Sequence, residues 1–167
     1  MKTKTGLFVL AILTSIGMST RVFAGETSVA AYATYWDAHL ANDVGGGEED
    51  GVGGGIKIRK SFLAFLSADI RASYIDFSNL DTTVVPLEAT LMVQIPFIIE
   101  PYAGIGASYY IFDSNLPGLE DGAGVYGVLG AQLNLWVVGA FAEIRYNETD
   151  TKLMDGTSIN LGLMVKW

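Results

Sequence analysis

Two short patterns hold most of the chemistry this sequence can do. Asp69 and Arg71 stand two residues apart, and so do Glu143 and Arg145, each pair within an alternation of apolar and polar residues. Residues two apart on an extended chain share a face, so each pattern sets an acid beside a base. Such pairing suits surroundings poor in water, where an unpaired charge is costly. Lys57, Arg59, Glu88 and Lys166 fall on faces of the same kind. Other reactive groups are sparse. Cysteine is absent and His39 is the single histidine, which excludes disulfides, thiolate sites, cysteine nucleophiles and multi-histidine metal centres. The carboxylates of the Asn42–Gly51 stretch could meet a divalent cation, but they lack the Asp-x-Asp-x-Asp-Gly order of an EF-hand. No metal, cofactor or catalytic residue is assigned. His39, Asp76 and Ser78 have the residue types for nucleophilic work, but as a lone trio in loops they read as coincidence.

The elements that must position these charges are strands. From Thr157 the chain sets Ile159, Leu161, Leu163, Val165 and Trp167 against Asn160, Gly162, Met164 and Lys166, a strict period of two. Seven earlier segments alternate likewise: about 27–38, 52–60, 66–74, 85–95, 102–111, 125–135 and 138–146. The connections alternate too. Tight turns are expected around Lys60-Ser61, Pro96 to Pro101 and Trp136-Val137. Longer polar loops are expected over 40–51, 77–82, 114–122 and 147–156, and these hold most of the acid. Tyr35, Tyr74, Tyr109 and Tyr146 take the apolar face near the long-loop end; Phe62, Phe97, Trp136 and Trp167 lie at the turn end. Two aromatic girdles around an apolar band are what a lipid-facing wall requires.

Lys2 and Lys4 precede an apolar run from Gly6 to Met18, and Val22-Phe23-Ala24 suits cleavage after Ala24, the pattern of a secretory signal peptide. Residues 1–24 are therefore expected to be the signal and 25–167 one barrel domain. Without Lys2, Lys4 and Arg21, 7 basic and 18 acidic residues remain, a net charge of −11. Nucleic acid is excluded as a partner, since phosphate contacts need a basic face. The expectation is an all-β, eight-stranded antiparallel up-and-down transmembrane β-barrel, polar inside and apolar outside. Its lumen would hold Lys57, Arg59, Asp69, Arg71, Glu88, Glu143, Arg145 and Lys166. The acid-x-Arg pairs of strands three and seven would meet across it, because those strands lie opposite in an eight-stranded cylinder. Tyr32, Trp36, Tyr102, Tyr110, Tyr126 and Phe141 would help fill it. Ala68–Arg71 resembles Ala142–Arg145 at an offset of 74, and Leu91–Val93 recurs as Leu163–Val165 at 72, a trace of four-strand duplication.

The stretch Val85-Pro86-Leu87 to Ile95-Pro96, followed by Pro101-Tyr102-Ala103-Gly104-Ile105-Gly106, resembles the fourth and fifth strands of the small OmpA/OmpX-type barrels of the porin family. The terminal Trp167 is similar to their insertion signal, where phenylalanine is more usual. The resemblance implies a Gram-negative outer-membrane location. It further implies a monomer in contact with outer-membrane lipid and lipopolysaccharide, assembled by the barrel-assembly machinery through the C-terminal strand. Members of that family include structural proteins, adhesins, narrow channels and a few enzymes, so activity does not follow from fold. A plugged scaffold with acidic surface loops is the leading expectation, ahead of a narrow channel. A lipid-modifying enzyme comes last: His39, Asp76 and Ser78 resemble the polar set of lipid A palmitoyltransferases, but the N-terminal amphipathic helix and acyl pocket of that family are missing from the sequence pattern.

Overall fold

The computed structural model describes residues 25–40, 47–114, 121–150 and 155–167. The expected signal peptide lies outside the described residues. Eight strands follow in order: β1 (Thr27–Leu40), β2 (Gly47–Leu63), β3 (Leu66–Phe77), β4 (Thr82–Gln94), β5 (Ile99–Ser114), β6 (Gly122–Leu135), β7 (Val138–Thr149) and β8 (Asp155–Lys166). Each pairs antiparallel with its sequence neighbours, and β1 pairs with β8 to close the barrel. Backbone bonds in both directions between Thr27 and Trp167 seal the seam at the turn end. Closure matters because an open edge leaves unpaired N–H and C=O groups, which hydrocarbon does not tolerate.

Alternation of side chains along every strand gives the wall two faces of opposite character. Lys57, Arg59, Asp69, Arg71, Glu88, Glu143 and Arg145 are buried inside, while Leu161, Leu163, Leu129, Ile105 and Val93 are more than half exposed outside. A water-soluble barrel has the reverse arrangement. Eight strands enclose just enough room for side chains to fill, and glycines let the large ones lie flat. A Cβ on Gly55 would sit 2.6 Å from Cζ of Tyr32, one on Gly130 2.6 Å from Cζ of Tyr102, and one on Gly162 2.7 Å from Cζ of Phe141. Each ring occupies the notch its neighbouring strand leaves open.

Several boundaries differ from the sequence expectation. β2 starts at Gly47 instead of Val52, so Glu48, Glu49 and Asp50 belong to a strand and not to a loop. β1, β5 and β7 also run further outward, to Leu40, Ser114 and Thr149, and Asp155 opens β8. The first turn lies at Ala64-Phe65, past Lys60-Ser61, with a register irregularity between Ser61 and Leu63. Pro101 is inside β5, pairing with Ala131 of β6. Proline is tolerated in a strand where its missing N–H leaves no ladder bond unmade. The last turn is Trp136-Val137 as expected, with Trp136 at φ 59°.

Candidate functional site

The lumen brings together charges from four strands, β2, β3, β4 and β7. Register places Lys57 of β2 beside Arg71 of β3, two cations side by side. Glu143 reaches them both from across the barrel: its Oε2 accepts from Lys57 Nζ at 3.2 Å, and its Oε1 accepts from Arg71 Nη1. Tyr102 donates its hydroxyl to Glu143 Oε2 at 2.8 Å, and Asn160 Nδ2 donates to Oε1 at 3.2 Å. Every lone-pair direction of this buried carboxylate is engaged, which is the condition for keeping it charged away from water.

Asp69 is the second hub. Arg71 donates Nη2 to Asp69 Oδ2 at 2.8 Å and Nε to Oδ1 at 3.2 Å, a two-pronged contact. Thr90 Oγ1 adds a bond at 2.6 Å, and Thr90 also meets the Tyr126 hydroxyl at 2.7 Å. Arg59 approaches Asp69 Oδ2 at 3.4 Å and donates to Gln132 Oε1 at 2.6 Å; the Gln132 amide in turn donates to Glu100 at the turn-side mouth. Arg145 grips Glu88 with both terminal nitrogens, one at 2.9 Å from Oε2. Aromatic faces complete the cations' surroundings: Lys57 Nζ lies 3.3 Å from the Phe141 ring centre and the Arg145 guanidinium 3.8 Å from that of Tyr126. Such cation–π contacts are strongest when desolvated.

The structure thus places seven of the eight expected lumen charges in one connected region. Arg71 of β3 does reach Glu143 of β7 across the lumen. Arg145, however, pairs with Glu88 of β4 and not with Asp69. Lys166 stands apart near the mouth, 2.8 Å from Glu26 Oε1. Sequence reasoning placed Trp36 and Tyr110 in the lumen, but missed the Gln132–Glu100 link, the polar roles of Thr90 and Asn160, and the part of Ile75, Phe77 and Val84 in the loop-side half. There Trp36, Ile75, Phe77, Val84 and Tyr110 pack into one apolar cluster with Phe112 and Leu80 against it. Their parity was readable, since Ile75 and Phe77 continue the inward face of Asp69, Arg71 and Ser73.

On the outside, Tyr35, Tyr74, Tyr109 and Tyr146 are exposed at one level, as are Phe62, Phe97, Trp136 and Trp167 at the other. His39, Asp76 and Ser78 do not form a site. Ser78 Oγ donates to Asp76 Oδ2 at 3.0 Å, while His39 sits on β1, with β2 between it and β3. Among the described residues no three His, Cys, Asp or Glu side chains converge as for a metal. The first long loop is reduced to residues 41–46, which lie outside the described residues, and two carboxylates expected in it have partners elsewhere: Asp50 accepts from Tyr35 and Glu49 from Asn79.

No protein-family model matches the chain, and no curated protein does. Solved structures do. Neisserial surface protein A is 18% identical with a TM-score of 0.71, over 84% of this chain and 97% of that one. OprG, an outer membrane protein of Pseudomonas aeruginosa, is 17% identical with a TM-score of 0.59, over 87% and 97%. This is the fold of the small outer-membrane β-barrels. Ail, the attachment invasion locus protein of Yersinia pestis, shares it at 17% identity and a TM-score of 0.57, over 86% and 99%; that structure holds a heparin analogue, sucrose octasulfate. At these identities the likeness carries architecture and no ligand.

Proposed function

We propose that the chain is an integral protein of the bacterial outer membrane, a plugged scaffold whose loop end serves a structural or binding role at the cell surface. The observation that carries this reading is the inverted wall around a closed lumen. Lipid is the solvent that stabilises an apolar exterior, and crossing ion pairs from opposite walls meet at Glu143 where a water column would have to pass. With the lumen filled, recognition falls to the loops, which on a rigid scaffold commonly carry function.

The proposed partners are outer-membrane lipid and lipopolysaccharide around the wall, and the barrel-assembly machinery at β8 during insertion; the barrel acts as a monomer. Asp37, Glu49, Asp50, Asp76, Asp81, Asp113, Asp121, Glu148, Asp150 and Asp155 lie at the loop end. That charge favours a cationic or cation-bridged surface over a polyanion of the sucrose octasulfate type. No enzymatic role is proposed.

Single-channel recording of the refolded protein in planar lipid bilayers tests the reading. A folded barrel with no discrete conductance steps is expected. Reproducible small steps that change with substitution of Arg71 or Arg145 would make it a narrow channel instead.

A further inference from the structure

The two ends of the barrel differ more than a bilayer-spanning wall requires. Turns that stand in water favour Gly, Pro, Asn, Asp and Ser, and of these only Pro96 occurs in the turns here. The three tight turns here present Leu63 and Phe65, then Ile95, Phe97 and Ile98, then Trp136 and Val137, all exposed. No charged residue lies between Ser61 and Leu66, between Ile95 and Ile99, or between Leu135 and Val138. We propose that the turn end is itself a lipid-contacting surface, so that the three turns lie within the headgroup zone of one leaflet and the barrel projects into water only at its loop end. The inference rests on the membrane reading above and fixes how deep the barrel sits.

Trp136 is the most telling residue. It has a positive φ at the first position of a two-residue turn, where glycine is usual and a side chain costs about 1–2 kcal/mol. Its ring is nevertheless 95% exposed to the surroundings. An exposed indole on a strained backbone gains nothing in water. At a headgroup boundary it gains both an apolar and a polar neighbour.

The height agrees. From Tyr146 in the outer girdle to Trp136 is ten residues of β7 and its turn. At about 3.3 Å per residue and a tilt of about 40° they span about 25 Å along the membrane normal, the height of the apolar band of such barrels. The band is used up when the chain reaches the turns. At the other end β1, β2 and β5 each continue five residues past Tyr35, Val52 and Tyr109, into the acid-rich rim. The charges that the turn end does have are gathered at the mouth and tied to neighbours. Lys60 Nζ donates to Gly25 O at 2.8 Å and Thr27 Oγ1 at 2.9 Å, and Lys166 pairs with Glu26. Of the two lysines, Lys60 is on the outward face of β2, where its charge complements lipid phosphate.

The chain has no cysteine, so single-cysteine variants accept one spin label each. We would label Val137→Cys, Ile98→Cys, Leu161→Cys and Asp50→Cys in phospholipid vesicles without other protein, and measure collision with oxygen, which partitions into lipid, and with a water-soluble nickel chelate. Leu161→Cys should favour oxygen and Asp50→Cys the chelate. Val137→Cys and Ile98→Cys should favour oxygen, with chelate collision several-fold below that at Asp50→Cys. If both turn labels match Asp50→Cys while Leu161→Cys stays in lipid, the turns stand in water and the inference is overturned with the barrel reading intact. Turn labels shielded from both probes would indicate a second copy of the chain and overturn it too. A Leu161→Cys label open to the chelate would sink the membrane reading itself, and the inference with it.

Discussion

The two halves of the barrel interior solve one filling problem in opposite ways. The turn-side half is packed with ions: Lys57, Arg59, Asp69, Arg71, Glu88, Glu143 and Arg145 interlock through hydrogen bonds and ion pairs. The loop-side half is packed with rings, Trp36 standing 5.8 Å from Phe77 and 5.6 Å from Tyr110 between centroids. Four cations and three anions make up the ionic half, and Gln132 extends Arg59 to Glu100 at the mouth, which answers the leftover charge. The ring half carries no ions, and its polar side-chain atoms are the Trp36 Nε1 and Tyr110 hydroxyl buried within the cluster. Charge is also sorted between inside and outside: among the described side chains five basic residues, Lys57, Arg59, Arg71, Arg145 and Lys166, are buried in the lumen against three acids, Asp69, Glu88 and Glu143. The contrast teaches that an ionic filling is a specification of partners, brittle when one member is lost, whereas a ring stack degrades by the volume removed.

The largest effect should come from halving an ion pair. Glu143→Ala leaves Lys57 and Arg71 facing one another, and removal of one buried partner costs about 3–5 kcal/mol. The urea midpoint for unfolding from lipid bilayers should fall accordingly. The sharper form of the test removes a pair whole. Arg145→Met alone should cost a comparable amount, but Arg145→Met combined with Glu88→Leu should recover most of it, because apolar replacement of both partners is often neutral. If the double variant is as unstable as the single one, the ionic half is not brittle in the way argued, and its stability lies in packing.

The partners in this network were less legible than its members. Period-two alternation is imposed by lipid on one side and lumen on the other, so it assigns a face to each of Lys57, Asp69, Arg71, Glu143 and Arg145 from sequence alone. It says nothing of how a long side chain leans. Arg71 sits directly opposite Glu88 in the β3–β4 register, yet it bonds Asp69 and Glu143, and Glu88 goes to Arg145. Reach across the lumen and crowding by Tyr102 and Tyr126 decide this, and both depend on the closed cylinder. The strand ends were hidden for a related reason. Beyond the tyrosine girdle neither face is in lipid, so Glu48-Glu49-Asp50 looks like a loop while its backbone still pairs with His39, Ala38 and Asp37. A polar Ser61 similarly suggested a turn two residues before the strand ended.

A smaller effect is expected in the loop-side half. Val84 is fully buried against the ring cluster. Val84→Ala removes two methyl groups, which at about 0.8 kcal/mol per buried carbon plus a partial cavity amounts to about 2 kcal/mol. The comparison predicts that this loss is insensitive to salt and additive with a distant change such as Glu143→Ala, since the two fillings share no side-chain partner. Urea unfolding of the two single variants and the double variant measures it. Strong coupling between them would mean that the halves act as one plug.

The smallest effect should come from Lys166, the member that the ionic half leaves out. Its partner Glu26 has a side chain 49% exposed, so the ion pair is solvated on one side and worth at most about 1 kcal/mol. Lys166→Ala should therefore lower the urea midpoint only slightly, and about 0.5 M salt should erase most of the difference by screening. Glu143→Ala should keep its deficit in the same salt, because its partners are out of contact with the solution. Lys166 nevertheless occupies the seam where β8 meets β1, next to the paired Thr27 and Trp167. An effect of Lys166→Ala on the rate of insertion but not on equilibrium stability would assign this pair to closing the barrel. A stability loss as large as that of Glu143→Ala, unaffected by salt, would show that the ionic filling continues to the mouth and that the boundary drawn between network and rim is misplaced.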